Sequence, residues 1–296
     1  MAREVRNITV TPEEAGQKIV AFINRRLGET VPQSAVMRWI RTGQVRLDGG
    51  RTRPFVRVAA GQSVRLPPCE LRAMPVRTAG PAPPFPVIYE DDALTAVNKP
   101  SGLPVHPGSG WSDSVQTRLE AACPGASFAP TPAHRLDRDT TGILLIAKTF
   151  EKLRELHQLF RDHRVGKEYL AWVAGRFPGD PGRFTLLEDN LEKKGPPGLE
   201  RMQTGSGKQA LTEAYVLRAG DGASLLRLRI LTGRTHQIRA QLAARGHPLI
   251  GDRKYGGPPG AIMLHAWRVT LPDLILAWPP DWTGEWAVAA GLPETA

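Results

Sequence analysis

The stretch Pro132-Ala-His-Arg-Leu-Asp-Arg-Asp-Thr-Thr-Gly-Ile-Leu-Leu-Ile-Ala-Lys148 constrains this chain more than any other, because a charged turn runs straight into an apolar run. Gly142 to Ala147, bounded by Thr-Thr-Gly and by Lys148, predicts a strand buried on both faces. Such a strand needs neighbours on either side and cover above and below, so the fold must contain a large layered core. At the mouth of that strand, His134 to Asp139 holds two carboxylates and two arginines. Packed so tightly against a core, they must satisfy one another or face a ligand.

The chain has room for that core. Its 296 residues, 41% hydrophobic, suit one large domain plus a small one. The two cysteines, Cys69 and Cys123, have no C-x-x-C spacing and suggest neither a disulfide framework nor a zinc finger, which fits a reducing cytoplasm. The first residues lack the apolar core of a signal peptide, and no stretch approaches the length of a membrane span. The formal charge is +10, an excess that points to a polyanionic partner. Between Arg25 and Arg65 lie nine arginines, no lysine and only two acids, Glu29 and Asp48. A solvated charged face is the bland explanation. Arginine alone, without lysine, argues for phosphate contacts and stacking on bases, which the planar guanidinium suits.

Thr11-Pro12-Glu13-Glu14 reads as a helix start with a capping box, and Ile19, Phe22, Ile23 and Leu27 mark the apolar face of that helix. A second helix runs from Ser34 as N-cap to Gly43, with Val36, Trp39 and Ile40 inward. Short strands follow at Val45–Leu47, Val56–Val58 and Val64–Leu66, with arginines alternating among the apolar residues. Residues 71–84 have the Pro-rich composition of a linker, which predicts domains over 11–70 and 85–296.

In the second domain, strands are expected at Val87-Ile-Tyr and Ala93–Val97, followed by the Pro- and Gly-rich loop Asn98 to Gly108. Thr149 caps a helix whose apolar positions Phe150, Leu153, Leu156, Leu159 and Phe160 recur at helical spacing. His157 and His163 lie on or near it without a third ligand at matching spacing, so no metal site is expected. Lys167 to Gly175 reads as a strand with Tyr169 near its beginning. Residues 176–208 look like a long loop, with a short strand possible at Phe184–Leu187. Leu211–Leu217 and Leu225–Leu231 suggest an antiparallel pair. Then Gly233 turns the chain into a helix with Thr235 as N-cap, and Met263–Val269 returns as a core strand.

Five segments in this order resemble one family. Asn98-Lys-Pro-Ser-Gly-Leu, His134-Arg-Leu-Asp-Arg-Asp-Thr-Thr-Gly142, Lys167-Glu-Tyr169, Gly207-Lys-Gln-Ala-Leu-Thr212 and Gly233-Arg-Thr-His-Gln-Ile-Arg239 with Gly246 to Asp252 look like the RluA family of RNA pseudouridine synthases. The helix-helix-strand module in front resembles the S4 RNA-binding domain. Together they resemble the C- and D-type members, which modify large-subunit ribosomal RNA. The resemblance implies an α+β fold, with an S4-type αα-β domain ahead of a mixed, mainly antiparallel sheet flanked by helices. It also implies isomerisation of uridine to pseudouridine, breaking the N1–C1′ bond and rejoining the base through C5.

No cofactor is implied. Asp137 would be the nucleophile, with Arg234 as its buried salt-bridge partner. Tyr169 would stack on the uracil and take or relay a proton. Arg135 would fill the space the flipped base leaves, since a uridine in structured RNA must leave its stack to react. Ile143 and Ile238 are candidates for the pocket wall, and Arg25, Arg26, Arg38, Arg41, Arg46, Arg51 and Arg53 for RNA contacts. His134 and Asp139 would orient the turn. The implied partner is ribosomal RNA, free or in an assembling particle; nothing asks for a membrane or a protein partner, and a monomer is the default. Two readings from other classes compete: a non-catalytic RNA-binding assembly factor, and a carboxylate glycoside hydrolase using Asp137 and Asp139. Transfer RNA is the alternative substrate.

Overall fold

The computed structural model describes residues 5–27, 31, 33–68, 85–107, 113–124, 126, 128–179, 183–195 and 201–288. The linker expected over 71–84 lies outside them. The first described part is a four-stranded antiparallel sheet, β1 (Arg6–Thr9), β2 (Arg46–Leu47), β3 (Gly50–Arg51) and β4 (Ser63–Leu66), in the order β1-β4-β2-β3. Helices α1 (Ile19–Leu27) and α2 (Gln33–Arg41) cover it, and Phe22, Ile23, Val36, Ile40, Val64 and Leu66 form its separate core.

Local competition moved two of the expected elements. The Thr11 capping box closes a single 3-10 turn, Pro12–Glu14, and α1 begins only at Ile19. The interruption falls at Gly16, whose φ of +85° is left-handed. Glu14 has no exposure; its carboxylate accepts from the Thr11 backbone N–H (3.1 Å) and pairs with Arg26 (2.7 Å). Those partners hold the turn apart from the helix. The stretch Val56–Val58 is not a strand, since Arg57 makes only an isolated bridge to Lys18.

The second part is one sheet of eleven strands. Its order is β11 (Arg201–Thr204), β10 (Thr185–Lys194), β12 (Lys208–Ala219), β13 (Ala223–Ile230), β9 (Gly166–Ala174), β14 (Leu264–Leu271), β8 (Thr141–Ala147), β6 (Leu94–Lys99) and β5 (Val87–Glu90). The remaining two, β7 (Thr131–Pro132) and β15 (Leu274–Ala277), pair with β8 and β14. Only β8 with β14 is parallel, so the sheet is mixed and mainly antiparallel. Helices α3 (Val115–Ala122), α4 (Phe150–Arg161) and α5 (Gln237–Ala244) flank it.

The supposed loop 176–208 instead contains the hairpin β10–β11 and the first residue of β12. On β10 only Leu187 and Leu191 are buried, so one inward residue in four was too sparse to register as a period of two.

Strand β8 is buried on both faces. Leu144 and Ile146 enter the core that also holds Leu136, Tyr169 and Ile238; Ile143, Leu145 and Ala147 enter the opposite core, under Leu153 and Leu156 of α4. Ile143 therefore cannot line a cavity shared with Tyr169, and its expected role is corrected. Gly142 opens the strand at φ +107°, opposite Ala266 of β14; any Cβ there would overlap the Ala266 backbone. That close approach seats the preceding charged loop directly on the sheet.

Candidate active site

The loop 133–140 is fastened from below and from both ends. His134 Nε2 accepts from the Leu145 backbone N–H at 3.1 Å, and burial pushes this imidazole down to about 3, so it is neutral. It is the satisfied turn histidine the sequence suggested. Beneath the loop, Lys99 has no exposure and donates to the carbonyls of Pro100 (2.7 Å), Leu103 (2.8 Å) and Arg138 (2.8 Å). Desolvation lowers this amine to about 8, against the opposing pull of Asp139 and Asp137. Arg138 grips Asp139 with two hydrogen bonds of 2.9 and 3.0 Å. Asp139 is thereby committed to its neighbour, and the Asp137 carboxylate remains facing the cavity, 17% exposed.

Helix α5 supplies the other side. The left-handed turn at His236 (φ +50°) starts it, with no side-chain cap from Thr235; Gln237 Oε1 instead accepts from the Arg234 N–H (3.0 Å) and from Thr232 (2.8 Å). The amide groups of Gln237 and Gln241 bind Thr212, Leu211, Leu187 and Ala210, bolting the helix to β10 and β12.

This anchorage decides which arginine meets the carboxylate. Arg239 Nη1 lies 3.5 Å from Asp137 Oδ2, while its Nε and Nη2 donate to the fully buried Asp252 at 2.7 and 2.8 Å. The two carboxylates raise the Arg239 guanidinium despite its burial. Arg234, expected as the partner, sits before the turn, is exposed, and sends its Nε to the Gln209 carbonyl (2.9 Å). The correction has a simple cause: Arg234 precedes the helix, whereas Arg239 is inside its first turn and is carried toward the loop.

His236 Nε2 is 4.0 Å from Asp137, and its Nδ1 shares a hydrogen bond with the Tyr255 hydroxyl (2.9 Å), which also accepts from the Met202 N–H (3.0 Å). Burial lowers His236, and Asp137 acts in the opposite direction.

Between loop and helix is a cavity of about 300 Å³, walled by Leu136, Tyr169, Ile230, Ile238 and Leu264, with the exposed Arg135 at its edge. Ile238 is on the wall as expected. Tyr169 is buried; burial first, and then the charge of Asp137, raise its phenol. It lines the cavity together with Asp137.

The seven arginines expected to meet RNA divide. Arg26 is tied to buried Glu14, and Arg25 lays its guanidinium 4.5 Å from the Phe128 ring centroid and donates to Thr131 (3.4 Å), joining the first domain to the second. Arg41 bonds the Met37 carbonyl one turn back. Arg38, Arg46, Arg51 and Arg53 make no ion pair among the described residues.

Comparison with known proteins gives the family of the chain. The pattern described as RNA pseudouridylate synthase matches residues 93–244, half of the chain. The chain belongs to that family. It is 37% identical over 259 residues to ribosomal large subunit pseudouridine synthase C of Escherichia coli K12, covering 85% of this chain and 80% of that protein. The enzyme of the same name from Haemophilus influenzae is also 37% identical, over 260 residues, with 85% and 79% covered. Among solved structures, human RNA pseudouridylate synthase domain containing 1 is 27% identical with a TM-score of 0.57, covering 68% of this chain and 85% of that one. The chain is thus an RNA pseudouridine synthase by family, and the arginine beside Asp137 is Arg239 rather than Arg234.

Sequence reasoning passed over Arg239, Asp252, His236, Tyr255 and Lys99 as a working set. Arg239 and Asp252 did lie inside the matched segments. The available signal was that an arginine embedded between Ile238 and Leu242 must be buried, and a buried arginine needs carboxylates.

Proposed function

We propose that this synthase converts uridine to pseudouridine in large-subunit ribosomal RNA, with Asp137 as the nucleophile. The observation that carries the reading is a single carboxylate, balanced by Arg239 and facing an apolar, base-sized cavity beside the Tyr169 ring. Attack by Asp137 on C1′ breaks the N1–C1′ bond, and the electron pair leaves with the uracil. The freed base turns, C5 bonds C1′, and the Asp137 oxygen departs with its electrons. The C5 proton is lost and N1 gains one, so reactant and product have the same composition. Leu136, Ile238 and Leu264 exclude the water that would otherwise hydrolyse the intermediate. Arg135, exposed at the cavity edge, fills the stack vacated by the flipped uridine.

The substrate class follows the relatives, whose names specify the large ribosomal subunit. The first domain supports it as an S4-like RNA-binding module. Arg46 stands opposite Arg51 on one neighbouring strand and Arg65 on the other, a row of like charges that costs stability unless an anion covers it. A cytoplasmic site of action accompanies this substrate; among the described residues no helix is long and apolar enough to cross a membrane. The hydrolase reading loses its second carboxylate, since Asp139 is held by Arg138.

The test is tritium release from C5-labelled uridine in unmodified ribosomal RNA and, separately, in transfer RNA. Release from ribosomal RNA by the wild type and none by Asp137→Ala is expected. Release by both proteins, or by neither, overturns the mechanism; release from transfer RNA alone overturns the substrate.

A further inference from the structure

A second groove, about 860 Å³, opens beside the target cavity. The two share Phe160, Lys167, Ile230 and Gly233, so they are immediate neighbours on the surface. The groove lies between the end of α4, the start of β9, the end of β13 and the β14–β15 edge.

Its chemistry is lopsided. Arg164, Lys167, Arg229 and Arg268 line it, with His163 at the rim, against one acid, Glu168, whose carboxylate lies 3.8 Å from Arg227. Arg164 and Arg229 are exposed. The Nε of Arg268 is buried with no hydrogen-bond partner among the described residues. The Arg268 side chain as a whole is half-buried, so part of it reaches the groove. The groove also shows bare apolar surface where a soluble sheet would ordinarily present polar groups: Phe184 is 37% exposed and Ile275 57%. Phe184 is stiffened from behind, with the Arg227 guanidinium 5.1 Å from its ring and Tyr215 at 5.7 Å. Cations along a track and a fixed exposed aromatic face are the combination that binds single-stranded nucleic acid.

We propose that this groove is the subsite for the unpaired RNA strand next to the target uridine, with phosphates on Arg164, Arg229 and Arg268 and a neighbouring base on Phe184. The proposal rests on the RNA-modifying reading above. A uridine turned into the target cavity stays tethered through its own phosphates, so the adjoining nucleotide must emerge at a cavity mouth. This mouth carries charge of the required sign. It makes the flanking strand, beyond the uridine itself, part of what the synthase recognises.

Two RNAs carrying the same target uridine test it, one with unpaired nucleotides on both sides and one trimmed of them. The variants are Arg164→Ala/Arg229→Ala and Phe184→Ala, each first checked for an unchanged melting temperature. Among the described residues the double variant removes one side-chain contact, a loose pair of Arg229 with Glu213 at 3.6 Å. With the flanked RNA the double variant should raise KM about tenfold with kcat within about twofold, and the salt slope of log affinity should shrink by about 1.4, two phosphates' worth. Phe184→Ala should weaken the same RNA about fivefold or more, with the salt slope unchanged. With the trimmed RNA neither variant should differ from wild type. Equal weakening of both RNAs, or no change in KM and salt slope, overturns the subsite. Affinity read by fluorescence anisotropy separates this from the catalytic reading: if the wild type binds the flanked RNA more tightly through these residues yet isomerises neither, the function fails and the groove stands.

Discussion

Arg239 and Arg46 carry the same guanidinium in opposite surroundings. The Arg239 side chain is 7% exposed and is shared between Asp137 and Asp252, so every donor it turns inward has an acceptor. Arg46 lies on a small sheet with Arg51 and Arg65 opposite it and makes no ion pair among the described residues. In the first region, arginine balances an internal charge, and its removal leaves the buried Asp252 and the half-buried Asp137 without their cation. In the second, the protein leaves like charges side by side, which under the proposed function the phosphates of RNA relieve. Arginine content alone would have assigned both regions to RNA.

The sharpest way to break this contrast is Asp137→Asn, which keeps the volume and removes the charge. Turnover should fall by at least about 10³-fold, as removal of a nucleophile does elsewhere, while RNA affinity stays within about twofold; retained tritium release would mean that the internal carboxylate is not the reacting group. Next in size is Arg239→Met set against Arg234→Met. The first strands Asp252 and Asp137 and should lower unfolding free energy by about 3–5 kcal/mol in urea, with a matching loss of activity. The second, at an exposed corner, should cost less than about 1 kcal/mol. Equal costs would remove the distinction between the two arginines.

On the outer side, Arg38→Ala/Arg46→Ala/Arg51→Ala/Arg53→Ala should reduce the salt slope of RNA binding by about 3. Folding stability should hold or rise by a few tenths of a kcal/mol, because like charges have been separated. A fall in stability would show that these arginines serve the fold.

The smallest effect concerns pH. The folded-state value of His134, about 3, lies below its ordinary value of about 6.5, so the unfolded chain binds the extra proton first. The stability contribution is complete above pH 6.5 and is lost as pH falls toward 3. Between pH 6.5 and 5 the loss should be about 1–2 kcal/mol. His134→Gln should make that part of the profile shallower, leaving the slope due to His265, which burial lowers to about 4, and to His106, His157 and His236, which burial also lowers. An unchanged acid profile would show that His134 is readily protonated in the folded protein.

Much of this was legible in residue order. Strong periods identified α4, β8, β9 and the β12–β13 pair, because each buries enough apolar side chains to make the pattern plain. Diluted periods failed: β10 turns inward only at Leu187 and Leu191, and the Thr11 capping box is indifferent to whether a 3-10 turn or an α-helix follows. At the site, the Asp137, Tyr169 and Ile238 that the motifs singled out line one cavity. The assignment of Ile143 failed because alternation along a strand separates two faces without saying which one holds the cavity.

What the sequence determined by itself was the inventory: a buried strand with charges at its mouth, a lysine-free arginine module, and five family segments in order. The tertiary structure decided the pairings. Asp137 and Arg239 lie about a hundred residues apart, and although its apolar neighbours mark Arg239 for burial, nothing in the sequence says which carboxylate it meets. Anchoring α5 by Gln237 and Gln241 sets the angle at which the helix meets the loop, and burial then makes an exact partner compulsory for one arginine while water serves the other.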